Sequence, residues 1–509
     1  MKNDKSLFNQ WALKYENDVK NSELNNQYPF KGYQDVIRGI YETVISQRGN
    51  KILDMGCGTG FLSEMFYKND YEVTLGDFSA NMLEIAKGKM PKANAYLGDF
   101  DEIISKLEGN KYDVITFTYS IHHISLEEQV ILIKKLKSLL SLNGLIIIGD
   151  VLTKTKEQLA NIKETFIRLW DDDEFYPVAE YLTSNLKHDF NIKSENYVTD
   201  LSGYLVFENK LSIADIKEVK YLKNVEKVKK IDLGWSSDTK YYVKSNDVEY
   251  LLRISDIKYK EAKLKEFDLM KIIWKKDINM SQPFEFGTFL GGKYSYILLS
   301  YIKGIQAEKS LLKYDVITQY SLGEKAGIML KKIHQIKPDK ELDFKEQYTK
   351  KINSRINQFR SCGIKNEKIE EMISYVLSNL KLLDNRPVCL HHGDYHVGNM
   401  VITDEENIGI IDFNRMKYGD PLYEFNRLYF SFRISKVFTK GLLDGYFGGI
   451  LPQNINEYIK FYTSSVVIAN ITWSMMFGSD DVEFAINSIN ELYDEMYVND
   501  LKVEDWYTI

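Results

Sequence analysis

The sequence predicts two folds in one chain: an α/β domain built on a parallel, doubly wound sheet, and then an α+β domain with a small sheet lobe and a large helical lobe. Three observations support this prediction. The chain has 509 residues, more than one hydrophobic core usually supports. Short apolar strands alternate with helical patterns over residues 51–151. From residue 231, strand-like runs come first and long helical patterns follow.

The elements of the first domain follow from its hydrophobic periodicity. Apolar residues recur near every 3.6 positions over residues 8–19, and Pro29 separates this predicted helix from the next. The alternating strands include KILDMG, YEVTLGD, NAYLGDF, YDVITFTYS and LIIIGDV. A helix with a polar face is predicted over residues 155–170, and two closing strands over 192–208.

The segment 209–230 is polar, rich in lysine and without strong periodicity, and we place the domain boundary there. The predicted domains are residues 1–209 and 210–509. In the second, the sheet lobe covers about 223–302 and the helical lobe about 303–509, where helical patterns occupy most of 310–385 and 421–509.

Composition narrows the class of partner. The net charge is −7 and no long Lys/Arg block occurs, which makes nucleic acid an unlikely partner. The longest apolar runs, such as residues 145–149, are too short to span a bilayer, so no membrane partner is expected. The three cysteines are widely separated, which favours a reducing, cytoplasmic location. The sequence does not specify an oligomeric state.

The turn DMGCGTG, residues 54–60, follows a strand and opens a helix. Glycine lets the backbone approach a ligand closely, and a helix N-terminus offers free N–H groups. The glycines alternate with other residues, so the turn does not match the dinucleotide fingerprint. Three carboxylates end successive strands: Asp54, Asp77, which can hold ribose hydroxyls, and Asp99, which can accept a hydrogen bond from an adenine amino group.

Together these features resemble the class I S-adenosylmethionine-dependent methyltransferases, which have a Rossmann-like fold. The stretch 112–124, YDVITFTYSIHHI, resembles their fourth-strand motif, and 140–150, LSLNGLIIIGD, their fifth-strand motif. The resemblance implies that S-adenosylmethionine is the cofactor and leaves the methyl acceptor open. It implies a methionine end lined by Gly56, Gly58 and Gly60, a ribose held by Asp77, and an adenine held by Asp99 and Phe100. Asp54 is a cofactor-binding candidate whose alternative role is to brace the glycine turn.

Two features of this domain have alternative interpretations. His122 and His123 suggest a metal ligand or a base, but adjacent residues commonly point in opposite directions, and one of them would then only approach the rim of the pocket. An aromatic group near the N-terminus predicts either a lid over the cofactor or the packing of two helices. Its members are Trp11, Tyr15, Tyr28, Phe30 and Tyr33.

The second domain contains HHGDYHVGNM at 391–400 and IIDF at 410–413. Phosphoryl transfer needs a carboxylate to orient the acceptor hydroxyl and cations to neutralise the phosphates. Asp394 can be that carboxylate, and Asn399 and Asp412 offer the hard oxygen ligands that suit Mg²⁺. These motifs resemble the aminoglycoside phosphotransferase and choline kinase superfamily, which has a protein-kinase-like fold. The resemblance implies that Asp394 is the catalytic base, that Asn399 and Asp412 bind magnesium, and that His392 braces the loop.

The sheet lobe carries weaker matches to the same superfamily. The stretch GWSSDTKYYV, 234–243, is either a loop over the phosphates or a plain hairpin. Arg253 stands where the superfamily usually has a lysine, and an arginine can pair with phosphate as a fork. Glu266 is its predicted partner, with Glu261 in reserve, and a solvated helix face is the alternative for either. The backbone from Ser300 to Ile302 is the predicted hinge that holds adenine.

The resulting hypothesis is a bifunctional enzyme: a methyltransferase followed by a magnesium-dependent phosphotransferase that uses ATP or GTP. Between residue 478 and the C-terminus the acidic residues greatly outnumber the single Lys502, which favours a small cationic acceptor such as an aminoglycoside-like antibiotic. The alternative is a metabolic kinase of choline, an amino alcohol or a sugar. In that case the methyltransferase domain would be a separate enzyme or a cofactor sensor.

Overall fold

The computed structural model describes residues 19, 22–23, 25, 27–47, 49–231, 238–475, 479–500 and 502–503. The chain divides into two compact units, Met1–Ser212 and Ile213–Ile509. That the chain is separable at the predicted boundary, between residues 209 and 210, stays a prediction. Trp11, Tyr15 and most of the predicted helix over 8–19 lie outside the described residues, as do residues 234–237 of the predicted phosphate loop.

The N-terminal unit is built on one sheet with strand order β3-β2-β1-β4-β5-β7-β6. The strands from β1 to β5 pair in parallel, and β7 lies antiparallel between β5 and β6. Each parallel crossover passes through a helix, as parallel connections require. The strands are β1 (Lys51–Met55), β2 (Glu72–Asp77), β3 (Asn94–Leu97), β4 (Tyr112–Thr118), β5 (Leu140–Val151), β6 (Phe190–Tyr197) and β7 (Ser202–Asn209).

Helices cover both faces of this sheet, with an apolar layer on each side. In α1, the buried residues Val36, Ile40 and Val44 recur every fourth position and therefore form one face of the helix. Several of these helices have an N-cap residue whose side chain accepts a hydrogen bond from a backbone N–H of the first turn; examples are Ser79, Asp99 and Ser125. The helices are α1 (Tyr33–Ile45), α2 (Phe61–Tyr67), α3 (Ala80–Lys89), α4 (Phe100–Lys106), α5 (Leu126–Leu136), α6 (Lys156–Thr165) and α7 (Ala179–Leu186).

The C-terminal unit begins with a sheet lobe whose strand order is β11-β12-β10-β9-β8, with all pairs antiparallel. A long helix, α9, packs against β11 and β12. The elements of this lobe are α8 (Ile213–Ile216), β8 (Val225–Ile231), β9 (Thr239–Ser245), β10 (Val248–Asp256), α9 (Lys260–Trp274), β11 (Pro283–Phe289) and β12 (Tyr294–Ser300).

The rest of the unit is mainly helical, and two small sheets carry the motif residues. The strand order is β13-β15-β16 in one and β14-β17 in the other. The strands are β13 (Ile305–Gln306), β14 (Cys389–His391), β15 (Met400–Ile402), β16 (Ile408–Ile410) and β17 (Lys417–Gly419). The helices are α10 (Ala307–Ser310), α11 (Val316–Ile333), α12 (Phe344–Ser361), α13 (Glu367–Ser378), α14 (Leu428–Ile434), α15 (Lys436–Phe447), α16 (Ile455–Val467), α17 (Asn470–Ser474) and α18 (Ser479–Tyr493).

One close helix contact is made possible by glycine. Gly323 and Gly327 on α11 face α15, where an added Cβ would approach the carbonyl oxygens of Phe438 and Leu442 to 2.1 and 2.0 Å. Across the described residues, none of the helices has the length and apolar character needed to cross a bilayer.

Candidate functional sites

The glycine turn of the N-terminal unit lines a cavity of about 280 Å³ at the carboxyl ends of β1 and β2. Gly56, Gly58 and Gly60 all have positive φ, at 72°, 54° and 78°, the region that favours glycine. At Gly56 a Cβ would lie 2.4 Å from the side chain of Ser120. The turn therefore needs glycine for its backbone path and for its close packing.

Asp77 and Asp54 both line this cavity, but they are held in different ways. Asp77 accepts hydrogen bonds from the backbone N–H groups of Gly58 and Ser79, each at 2.8 Å. Asp54 accepts from the hydroxyls of Ser63 at 2.6 Å and Thr116 at 2.8 Å. Burial raises the pKa of both carboxyls, that of Asp54 to about 6. Asp54 thus braces the helix and strand beside the turn, whereas Asp77 joins the turn to β2.

The two predicted adenine residues are placed differently. Phe100 lines the cavity and packs edge-on against Phe117. Asp99 is exposed, and its side chain accepts the backbone N–H of Glu102 to cap α4. Asp99 is not part of the cavity wall that the described residues form. Its contact with adenine stays a prediction.

His122 and His123 both line the same cavity, contrary to the expectation that they point apart. That expectation suits an extended strand, but residues 121–123 form a 3₁₀ turn, and the two rings lie 4.3 Å apart. Burial and His122 lower the pKa of His123 to about 3. Burial alone would lower the pKa of His122, but Asp150 and Glu174 raise it above its ordinary value.

Phe30 and Tyr33, from the aromatic group near the N-terminus, line the cavity too, and Tyr28 packs edge-on against the cavity residue Tyr176.

In the C-terminal unit, a buried glutamate holds the loop that carries Asp394. Glu424 accepts the backbone N–H groups of His392 and Gly393 at 2.8 and 2.9 Å. Burial alone would raise the pKa of Glu424, but His334 and the neighbouring histidines lower it to about 2. The His392 ring joins the carbonyl of Ile411, at 3.0 Å, to the backbone N–H of Asp394. His392 thus links the loop that carries Asp394 to the segment that carries Asp412.

Two arginines and one histidine surround the side chain of Asp394, which is 16% exposed. Arg427 Nε lies 3.3 Å from Oδ1, and Arg415 Nη1 lies 3.4 Å from Oδ2. His396 Nε2 is 3.6 Å from Oδ1, and burial lowers the pKa of this histidine to about 4. Sequence analysis missed both arginines, although Arg415 stands three residues after Asp412.

The predicted magnesium ligands converge on the same loop. Asn399 donates its Nδ2 to the backbone oxygen of Asp394 at 2.9 Å, which leaves its Oδ1 outside this hydrogen bond. Asp412 has positive φ, at 66°, and its Oδ1 is buried without a hydrogen-bond partner among the described residues. Such an atom is costly unless a ligand or ion satisfies it, and this donor set fits Mg²⁺.

Arg253 is buried in an ion network rather than open to a ligand. Its Nη1 donates to Glu266 at 2.6 Å, and Nε and Nη2 donate to Asp238 at 3.1 and 2.5 Å. Lys263 binds the same two carboxylates, at 2.8 and 3.1 Å. Burial would raise the pKa of Asp238, but Arg253 and Lys263 lower it to about 2. The structure therefore joins Arg253 to its predicted partner Glu266, while Glu261 is exposed.

Lys240 is a basic residue of the sheet lobe whose side chain faces Asp412. Sequence analysis did not single it out. Its Nζ lies 3.4 Å from Oδ2 of Asp412, and the side chain is 14% exposed. Lys240 lies directly opposite Arg253 in the register of β9 and β10. The signal in the sequence was its position within the predicted phosphate loop, 234–243, where β9 begins.

The predicted hinge follows β12. The backbone N–H groups of Ser300 and Tyr301 are already donated, to the carbonyls of Gln282 at 2.9 Å and Glu249 at 3.0 Å. The N–H of Ile302 has no acceptor among the described residues. The role of Ile302 as the hinge donor to a nucleotide base stays a prediction.

Comparison with known proteins assigns both units. Residues 52–144 match the model of a methyltransferase domain, and residues 227–458 match the model of the phosphotransferase enzyme family. An uncharacterized methyltransferase of Bacillus licheniformis is 31% identical over 199 residues, which cover 38% of this chain and 91% of that protein. One from Alkaliphilus oremlandii is 26% identical over 196 residues, covering 38% and 84%. The solved streptomycin–ATP–APH(2")-IIa ternary complex is 16% identical, with a TM-score of 0.42, covering 57% of this chain and 99% of that one.

The molecule is thus a two-domain transferase, with a Rossmann-like unit followed by a protein-kinase-like unit, and the predicted fold class is confirmed. The chain belongs to the methyltransferase family through its N-terminal domain, and its C-terminal domain carries the match to the phosphotransferase enzyme family over residues 227–458. The methyltransferase domain implies S-adenosylmethionine as its cofactor.

Proposed function

We propose that the chain is a bifunctional enzyme. Its N-terminal unit transfers a methyl group from S-adenosylmethionine to a small acceptor. Its C-terminal unit transfers a phosphoryl group from ATP or GTP, with Mg²⁺, to a hydroxyl of a small molecule. The observation that carries the second activity is the convergence of Asp394, Asn399 and Asp412 on one loop system, with a buried carboxylate oxygen of Asp412 free to bind a cation.

In the methyltransferase reaction, the residues of the chain mainly position the reactants. Asp77 would hold the ribose, the glycine turn would contact the methionine end, and Phe100 would pack on the adenine. S-adenosylmethionine supplies the methyl group when it is bound, and its transfer depends on proximity and alignment. The cavity that these residues line supports this assignment.

In the phosphotransferase reaction, Asp394 would orient the acceptor hydroxyl and take its proton. Glu424 and His392 hold the backbone of that loop, so the carboxylate has a fixed position. Asn399 and Asp412 would hold magnesium, which neutralises charge on the donor phosphates when it is bound. Lys240 faces Asp412 and would contact the same phosphates, and Ile302 would bind the base.

Two observations favour an uncharged or acidic acceptor, such as a sugar, over the polycationic acceptor expected from the acidic tail. Arg415 and Arg427 flank Asp394, where a cationic acceptor would meet like charge. Several acidic residues of the tail are already paired with surface cations. These pairs are Glu491 with Arg433, Asp494 with Lys368 and Asp500 with Lys502.

A substrate screen tests the proposal. The full-length protein is incubated with radiolabelled ATP, GTP or S-adenosylmethionine and panels of aminoglycosides, amino alcohols, sugars and sugar acids. We expect a labelled product in the sugar panels that Asp394→Asn does not form. Transfer to aminoglycosides alone would contradict the acceptor class, and nucleotide binding without any transfer would favour the sensor alternative.

A further inference from the structure

A cluster of three side chains of the types that bind metals lies in the wall of the N-terminal cavity. His122 and His123 come from the 3₁₀ turn after β4, and Glu174 comes from the loop between α6 and α7. Each of the three side chains offers one ligand atom, a ring nitrogen or a carboxylate oxygen, and these three atoms all lie within 4.8 Å of one another. All three residues line the cavity that also contains the glycine turn and Asp77.

The spacing within the cluster fits a shared ion better than a hydrogen bond. His122 Nε2 lies 3.7 Å from Oε1 of Glu174, which is too long for a hydrogen bond. Two ligands of one tetrahedral zinc, at bond lengths of about 2.0–2.1 Å, are roughly 3.3–3.4 Å apart. A small decrease in the distance between these two atoms would therefore let both of them coordinate one metal ion.

Outer partners hold two of the three side chains in position. His122 Nδ1 lies 2.9 Å from both oxygens of the buried Asp150, so Nδ1 donates its hydrogen and Nε2 faces Glu174. The second oxygen of Glu174 accepts a hydrogen bond from the Tyr176 hydroxyl, which also lies 2.6 Å from the hydroxyl of Tyr28. A histidine that donates its other ring nitrogen to a carboxylate is the usual arrangement at metal centres.

We propose that His122, His123 and Glu174 bind a divalent transition metal ion, and that Zn²⁺ fits this set of two imidazoles and one carboxylate. Three protein ligands leave a coordination position open, and all three of these residues line the cavity. A thiol or hydroxyl group of the methyl acceptor would bind there and release its proton to solvent. Its sulfur or oxygen then bonds to the methyl carbon as the sulfonium C–S bond breaks, and the neutral thioether leaves.

The role in acceptor activation rests on the proposed methyl transfer, but metal binding does not. The rival explanation needs no metal: His122 would carry a proton between Asp150 and Glu174. The two explanations differ in metal content, which can be measured without knowing the methyl acceptor.

The test uses the untagged full-length protein, purified without chelators and analysed by plasma mass spectrometry. We expect about one zinc per chain. After removal of zinc with a chelator, titration with Co²⁺ should give the intense visible absorption of a tetrahedral site. His123→Ala and Glu174→Gln should abolish this absorption, and Asp150→Asn should weaken metal binding by about 10–100-fold.

Three controls separate the outcomes. His188→Ala removes an exposed histidine outside the cluster and should leave metal binding unchanged. Asp77→Ala should bind S-adenosylmethionine more weakly but keep the metal, which separates failure of this inference from failure of the proposed function. Circular dichroism shows whether His123→Ala and Glu174→Gln are folded. Zinc-free wild-type protein that also gives no Co²⁺ absorption would overturn the proposal, as would full metal retention by folded Glu174→Gln and His123→Ala.

Discussion

Lys240 and Arg253 offer the sharpest test of the nucleotide site, because they are matched in position and differ in surroundings. They are cross-strand neighbours on β9 and β10. Lys240 faces Asp412, whereas the donors of Arg253 are bound to Asp238 and Glu266. We therefore expect Lys240→Met to weaken nucleotide binding and Arg253→Met to weaken the fold.

The expected magnitudes follow from burial. Arg253 is 3% exposed, and its removal leaves Asp238 and Glu266 with Lys263 as their remaining charge partner. Breaking a buried ion pair in this way lowers the free energy of unfolding by about 3–5 kcal/mol. The single 3.4 Å contact of Lys240 is partly exposed, so its loss changes stability by about 1 kcal/mol or less. Loss of a charged contact to phosphate costs about 1.5–3 kcal/mol of binding, roughly a ten- to hundredfold rise in Kd.

Urea unfolding followed by circular dichroism measures the stability change, and titration calorimetry with Mg²⁺ and ATP or GTP measures the affinity. The reasoning fails if Lys240→Met binds nucleotide as the wild type does. It fails equally if Arg253→Met keeps its stability and loses nucleotide binding, since Arg253 would then be the phosphate ligand.

The remaining predictions concern both units. Asp394→Asn should lower the turnover of the phosphotransferase by about 10²–10⁴-fold with nucleotide affinity little changed, as steady-state kinetics and calorimetry would show. Asp77→Ala should weaken S-adenosylmethionine binding by about 1–3 kcal/mol in calorimetry, and tighter binding of NAD than of S-adenosylmethionine would contradict the site. Limited proteolysis within 209–230 should give soluble fragments of roughly 24 and 34 kDa, whereas aggregated pieces would show a shared core. Burial raises the pKa of Asp54 to about 6, so the folded protein keeps a proton that the unfolded chain releases near pH 4. The contribution of this carboxyl to stability should therefore be complete below about pH 4, be lost as the pH rises through about 6, and not change further above that. Asp54→Asn should remove most of this pH dependence, which amounts to about 1.4 kcal/mol between pH 5 and pH 8, as thermal unfolding at these two pH values would show; an unchanged dependence would assign it to other groups.

Local sequence patterns predicted the fold class and many of the backbone features at the two sites. The glycine turn was predictable because positive φ at Gly56, Gly58 and Gly60 demands glycine. The positions of Asp54 and Asp77 followed from the ends of their strands, since parallel strands bring their carboxyl ends to one edge of the sheet. Asp99 also ends a strand, but its side chain caps the helix that follows.

Contacts between residues far apart in the chain could not be predicted in this way. Asp412 lies 172 positions from Lys240, and only the closure of the two lobes brings them together. For His122 and His123, the interpretation that the two side chains point apart was wrong because it assumed extended backbone, whereas residues 121–123 form a 3₁₀ turn and both histidines line one cavity. Side-chain networks of this kind depend on tertiary structure that periodicity does not encode.

The basic side chains around Asp394 and Asp412 bear on which charge the phosphoryl acceptor can carry. Lys240 neutralises Asp412, while Arg415 and Arg427 neutralise Asp394. A magnesium–nucleotide complex is anionic, so Lys240 would turn to the phosphates while magnesium balances Asp412. The two arginines would stay beside Asp394, the carboxylate proposed to orient the acceptor hydroxyl. A polycation would be repelled there, whereas an uncharged or acidic hydroxyl compound would not. Arg427→Met should therefore shift selectivity toward cationic acceptors in competition assays with paired acidic and cationic substrates, and unchanged selectivity would remove Arg427 from acceptor recognition.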